Sequence, residues 1–211
     1  ALSVTFFAFD WLMSLDAAWY STIFGVYFFA GSAMAFFAFM SLVALGERGL
    51  LARVLNEEHL HDIAKLLITF VAFWAYMAFS QYLLIWYANL PEETVFFAQR
   101  QAGSWRIASI VLALGHFVVP FFFLLPRAVK RRPGPLATAA IWLLVMQLLD
   151  LHWLVMPNLH PAGMAPSLLD GTALVGCIGV FLAAFGWSLG RQALVPLRDP
   201  RLPESIAFEN V

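Results

Sequence analysis

Five apolar runs, residues 20–45, 63–89, 104–126, 136–156 and 168–190, decide what this chain can become. At ~1.5 Å per helical residue each is long enough to cross a hydrocarbon layer of ~30 Å. Backbone polar groups have no water to bind in lipid, so such runs must satisfy them internally as helices. The fold class that follows is all-α, a polytopic membrane bundle. Composition agrees, since 12% of residues are charged against ~25% in soluble domains. The net charge of −1, from 12 basic and 13 acidic residues, gives no basic footprint for nucleic acid. The single cysteine, Cys177, excludes an internal disulfide, a four-thiolate iron–sulfur cage and the attachment motif of c-type haem.

Residues 1–15 are apolar but too short to span, and they lack the basic start of a signal peptide. They read as the end of a transmembrane helix that begins further upstream, in a larger protein. Between the runs the turn chemistry is explicit. Gly46-Glu47-Arg48-Gly49 closes the first span. Pro91 followed by Glu92 and Glu93 predicts the first turn of a short interfacial helix, because proline fits that position and acids suit its dipole. Arg131-Arg132-Pro133-Gly134-Pro135 reads as a tight basic turn, and Pro157-Asn158-Leu159-His160-Pro161 as a break in the fourth span. The tail from Val195 holds three prolines and five charges, which predict an extended and solvated segment.

Orientation follows from the basic residues. Alternating sides place Arg48, Arg53, Lys65, Arg127, Lys130, Arg131, Arg132, Arg191, Arg198 and Arg201 on one face, and Arg100 and Arg106 on the other. That bias predicts a cytoplasmic C-terminus.

Polar residues inside the spans are the candidates for function. At ~100° per residue, Asp62, Lys65, Thr69, Tyr76, Ser80 and Tyr87 fall within an arc of about 60° on the second span. Two readings stand: a seam gluing helices together, or a proton path with Lys65 as its gate. The third span carries His116, with Pro120 one turn on, and the fourth carries Gln147 and Asp150. Counted from the basic turn, His116 lies ~15 Å deep, Gln147 ~16 Å and Asp150 ~21 Å, so the three are expected to meet. A carboxylate at that depth should face the bundle interior and have a polar partner. Haem ligation by His116 and His152 is disfavoured, because their depths differ by ~9 Å. On the last span Thr172, Gly176, Gly179, Ala183, Gly186 and Gly190 make a small-residue seam suited to close packing.

Four stretches add a resemblance. They are Phe9-Asp10-Trp11-Leu12-Met13-Ser14-Leu15-Asp16; Trp19-Tyr20-Ser21-Thr22-Ile23-Phe24-Gly25-Val26-Tyr27; Phe73-Trp74-Ala75-Tyr76-Met77-Ala78-Phe79-Ser80-Gln81-Tyr82 running into Ile85-Trp86-Tyr87-Ala88-Asn89-Leu90-Pro91-Glu92-Glu93-Thr94; and Arg198-Asp199-Pro200-Arg201-Leu202-Pro203-Glu204-Ser205. Together they resemble the second NrfD-like membrane subunit, the ActF type, of bacterial alternative complex III, a quinol:cytochrome c oxidoreductase. Members are about twice this length, so the resemblance implies a C-terminal half. It would comprise a helix end (1–15), a four-helix bundle (20–156), a peripheral last helix (168–190) and a cytoplasmic tail (191–211). The family pattern carries Pro-His where this chain has Ala17-Ala18, so any role of that histidine is absent here.

The resemblance further implies a bacterial cytoplasmic (inner) membrane location and no cofactor on this chain beyond a quinone. The partners it implies are the paralogous NrfD-like subunit and subunits carrying c-type haem and iron–sulfur clusters. The functional expectation is proton conduction or coupling, or a quinone-related site, in a quinol-oxidising complex. The candidates are Asp62, Lys65, Thr69, Tyr76, Ser80, His116, Gln147 and Asp150. The alternatives are a non-catalytic scaffold, whose polar residues would all be paired with no cavity among them, and half of a proton-coupled secondary transporter, which should show a broken helix at mid-depth.

Overall fold

A computed structural model describes residues 2–47, 54–165, 167–191, 193–196 and 198–208. Arg48 and Arg53 of the basic set, and Gly49 of the first turn, lie outside the described residues. Among the described residues every regular element is helical. Helix α1 (Leu2–Phe7) runs on through a π-helical turn, Ala8–Leu12, and a 3₁₀ turn, Met13–Leu15. Then come α2 (Phe24–Gly46), α3 (Glu57–Ala88), α4 (Pro91–Arg100) and α5 (Gly103–Leu124). They are followed by α6 (Arg127–Arg131), α7 (Pro133–Leu159), α8 (Leu168–Leu189) and α9 (Leu202–Ile206). Helices α2, α3, α5, α7 and α8 are long and apolar enough to cross a membrane. This is a multi-pass membrane protein.

Local chemistry sets the helix ends. Asn56 caps α3 by accepting from the His59 amide at 3.0 Å, while the Asn56 amide donates to His59 Nδ1 at 3.3 Å. With Glu57 and Glu58 in the first turn, this starts α3 six residues before the apolar run. Asn89, at φ 49°, ends it in the left-handed conformation. Pro91 opens α4 with Glu92 and Glu93 in its first turn, as the sequence predicts.

The basic turn is as tight as expected, with only Arg132 between α6 and the start of α7 at Pro133. Two expectations are corrected. The tail is largely exposed, but it forms α9 and returns to the start of α3, where Asn56 Nδ2 donates to the Ile206 carbonyl at 3.3 Å. Pro157 does not break α7, which continues to Leu159. A proline removes the donor for the carbonyl four residues back, here that of Trp153. Arg100 Nε donates to that carbonyl instead, at 3.2 Å.

The bundle has two unlike ends. At the basic end α2, α3, α5 and α7 close on small and aliphatic side chains, among them Met34, Ala38, Leu67, Val71, Leu124, Ala140 and Leu143. There Arg131 pairs with Glu58, and Lys65 with Asp62 at 2.7 Å. Burial and the Lys65 charge hold the Lys130 ammonium below its usual range. At the aromatic end Trp19, Phe24, Tyr27, Trp74 and Phe96 form a second core. Helix α8 is peripheral, with no buried residue, and Phe39 meets Phe181 and Phe185 edge-on. Its small-residue face packs on no described residue, and a Cβ built at Gly176, Gly179 or Gly186 finds nothing within 4 Å.

Candidate functional site

Asp150 sits on α7 with 1% of its surface exposed, held by two other helices. Tyr27 Oη of α2 donates to one carboxylate oxygen and Trp74 Nε1 of α3 to the other, the latter at 3.2 Å. The carboxylate therefore faces the interior and has polar partners, as expected. They are Tyr27 and Trp74, not Gln147 or His116. A deep carboxylate is costly unless hydrogen-bonded, and the neighbouring phenol and indole supply one neutral donor to each oxygen. Among the described residues no cation pairs with Asp150 within 4 Å.

His116 reaches Asp150 only through Trp74. Its ring stacks on the indole at a centroid distance of 3.9 Å, and among the described residues neither ring nitrogen has a hydrogen-bond partner. The side chain is fully buried on the π-helical stretch Ala113–Val118 of α5. In that wider register the backbone group facing Pro120, which has no N–H, is the carbonyl of Gly115. Trp142 Nε1 on α7 fills the gap with a 2.7 Å hydrogen bond. Gln147 lies against α2, where a Cβ on Gly31 would come 2.8 Å from Oε1, so only glycine leaves the amide room. Its Oε1 is buried without a partner among the described residues. His152, the other haem candidate, packs instead against Trp105 at 5.9 Å.

Arg100 is the residue that sequence reasoning missed. At the end of α4 it is completely buried. Nε donates to Trp153 O at 3.2 Å, Nη1 to Phe96 O at 3.0 Å and Nη2 to Leu154 O at 2.8 Å. Its guanidinium lies 3.4 Å from the Phe96 ring centroid, a cation–π contact. Burial pushes Arg100 down to about 9, opposed by the Asp16 carboxylate and by Tyr27, so it is charged at neutral pH. No carboxylate among the described residues pairs with it within 4 Å.

Between these groups lies a cavity of about 940 Å³, lined by residues of α2, α3, α4, α5 and α7 that include Asp150, Tyr27, Trp74, Gln81 and Arg100. It exists because α3 packs on the second half of α5 and stands off from Gly103–Leu112. The gap is open at the bundle surface beside the exposed side chains of Phe79, Tyr82 and Ile110. Its size lies within the range usual for small-molecule sites.

The polar stripe of α3 points elsewhere. Thr69 is exposed and bonds back to Lys65 O at 2.8 Å, Tyr76 is 63% exposed and Tyr87 84%. Asp62, Lys65 and Ser80 are half-buried. The stripe therefore lies on the outward side of the bundle and does not join Asp150, His116 and Gln147. The signal for the inward side was present: Trp74 and Gln81 are seven residues apart on the face that buries Leu60, Leu67 and Val71. No protein-family model matches the chain, and no curated protein matches it.

Proposed function

We propose that this chain is an integral membrane subunit of a quinol-oxidising complex, of the alternative complex III type its sequence resembles. In this reading the cleft at Asp150 receives the quinol head group. The observation that carries it is a buried carboxylate without a cation partner among the described residues, on the wall of a cavity that opens at the bundle surface between apolar side chains. A lipid-soluble ring can reach such a site without leaving the bilayer. Asp150, acceptor-only when ionised, takes the proton of a ring hydroxyl facing it, with Tyr27 and Trp74 fixing its orientation. His116, stacked on Trp74, and Gln147 beyond it are the next polar groups toward the basic end, and waters would bridge the spacings. The electrons leave to partner subunits bearing haem c or iron–sulfur clusters, beside the paralogous NrfD-like subunit. The basic end and tail face the cytoplasm of a bacterial inner membrane.

A scaffold reading requires fully paired polar residues and no cavity. The cleft and the unpartnered nitrogens of His116 favour the quinol reading over it. A photoreactive quinone analogue, illuminated with the intact complex, tests the proposal. Labelling of peptides from α3 and α5 around Phe79 and Ile110, suppressed by excess quinol, is the expected result. Labelling confined to other subunits sinks the reading.

A further inference from the structure

Gln81 has an unusual position. It is 5% exposed, lines the cleft, and makes no hydrogen bond with any described residue. Its amide opens onto the cleft, where a ligand or water can satisfy it. Arg100 lines the same cavity with three of its five N–H groups engaged by carbonyls. A guanidinium without a carboxylate and a carboxylate without a cation thus share one chamber and do not pair. The guanidinium binds carbonyls three and four positions beyond Asp150 on α7, ~4.5–6 Å along that helix, and the more distant Gln81 can be gauged along α3. Gln81 follows Trp74, the residue that binds Asp150, by seven positions, or ~10 Å at ~1.5 Å per residue.

We propose that Gln81 and Arg100 are a second polar pole of the cleft, and that its ligand is a ring with an oxygen on each of two opposed edges. This rests on the quinol reading above. Two hydrogen bonds of ~2.8 Å added to the oxygen-to-oxygen width of a six-membered ring match the spacing gauged to Gln81, with the Arg100 guanidinium flanking that end of the ring. The poles differ in kind. Asp150 accepts, so it suits a hydroxyl. Arg100 only donates and the Gln81 amide donates or accepts, so their end suits a carbonyl or a hydroxyl oxygen. A lipid with one polar head, such as a phenol or a sterol-like alcohol, satisfies one pole and strands the other. Gln81 and Arg100 would therefore discriminate among membrane-soluble ligands by the far end of the ring.

The test compares two ligands with the same alkyl tail, a para-dihydroxy ring and its monohydroxy analogue, binding to the purified complex. Wild type is read beside Gln81→Leu and the near-isosteric Gln81→Met, so that one failing to assemble leaves the other. The expected result is a loss of about 5- to 10-fold in affinity for the dihydroxy ring with no change for the monohydroxy ring. Equal losses for both ligands, or none for either, overturn the two-pole assignment while leaving the quinol reading intact. Failure of the dihydroxy ring to bind wild type removes both.

Discussion

The two ends of this bundle are built from the same helices and behave as different materials. At the basic end, alanine, leucine and valine let α2, α3, α5 and α7 pack closely on one another. At the aromatic end, large flat rings meet edge to face, as Phe96 does with Trp153 and Trp19 with Phe24, and a cavity of about 940 Å³ remains. Lipid is as apolar as leucine, so helices gain little from burying apolar surface and association rests on packing and hydrogen bonds. The basic end relies on packing. The aromatic end relies on side-chain hydrogen bonds to backbone carbonyls, and can hold a cleft open because of them.

If that contrast is right, the largest loss of stability comes from the aromatic end's chief donor. Arg100→Met removes three charged hydrogen bonds, each worth ~1.5–3 kcal/mol though not additive, and should cost about 3–5 kcal/mol. Thermal unfolding in detergent measures it. The loss should shrink in a Pro157→Ala background, where Trp153 O regains a backbone donor. A cost under about 1 kcal/mol would mean that the aromatic end is held by packing after all.

A smaller effect separates the ends by their tolerance of bulk. Ala140→Leu, in the closed core, should cost about 1–3 kcal/mol through overpacking. Ala113→Leu, on the cleft wall and exposed, should change stability by no more than about 0.5 kcal/mol. It should nevertheless weaken binding of a quinone analogue by filling the chamber. Equal costs at the two positions would erase the distinction between the ends.

Much of the fold was legible because it depends on length and on local rules. The five spans and the Pro91 start of α4 follow from apolar runs and capping chemistry, whereas the small-residue face of α8, read as a packing seam, meets nothing within 4 Å at Gly176, Gly179 or Gly186. The burial of Asp150 was legible too, because a deep carboxylate has few alternatives. Its partners were not legible. Depth counting places His116 and Gln147 near Asp150, but depth says nothing about rotation. Rotation turned Tyr27 and Trp74 to the carboxylate and left the histidine behind the indole. Arg100 was hidden for a related reason. It reads as a surface residue of an interfacial helix, and its burial depends on the carbonyl that Pro157 leaves without a donor. The stripe on α3 was legible as a pattern, but hydroxyl periodicity alone does not say which side of a helix faces the bundle.

If the Asp150 cleft takes the proton of a bound quinol, the rate of quinol oxidation by an Asp150→Asn complex must show it. Asparagine keeps the shape and can still accept from Tyr27 or Trp74, but it cannot take the proton. The expected result is an assembled complex with a normal haem and iron–sulfur complement whose turnover falls by about 10²-fold or more. Turnover within about twofold of wild type, in a complex equally well assembled, would contradict the account.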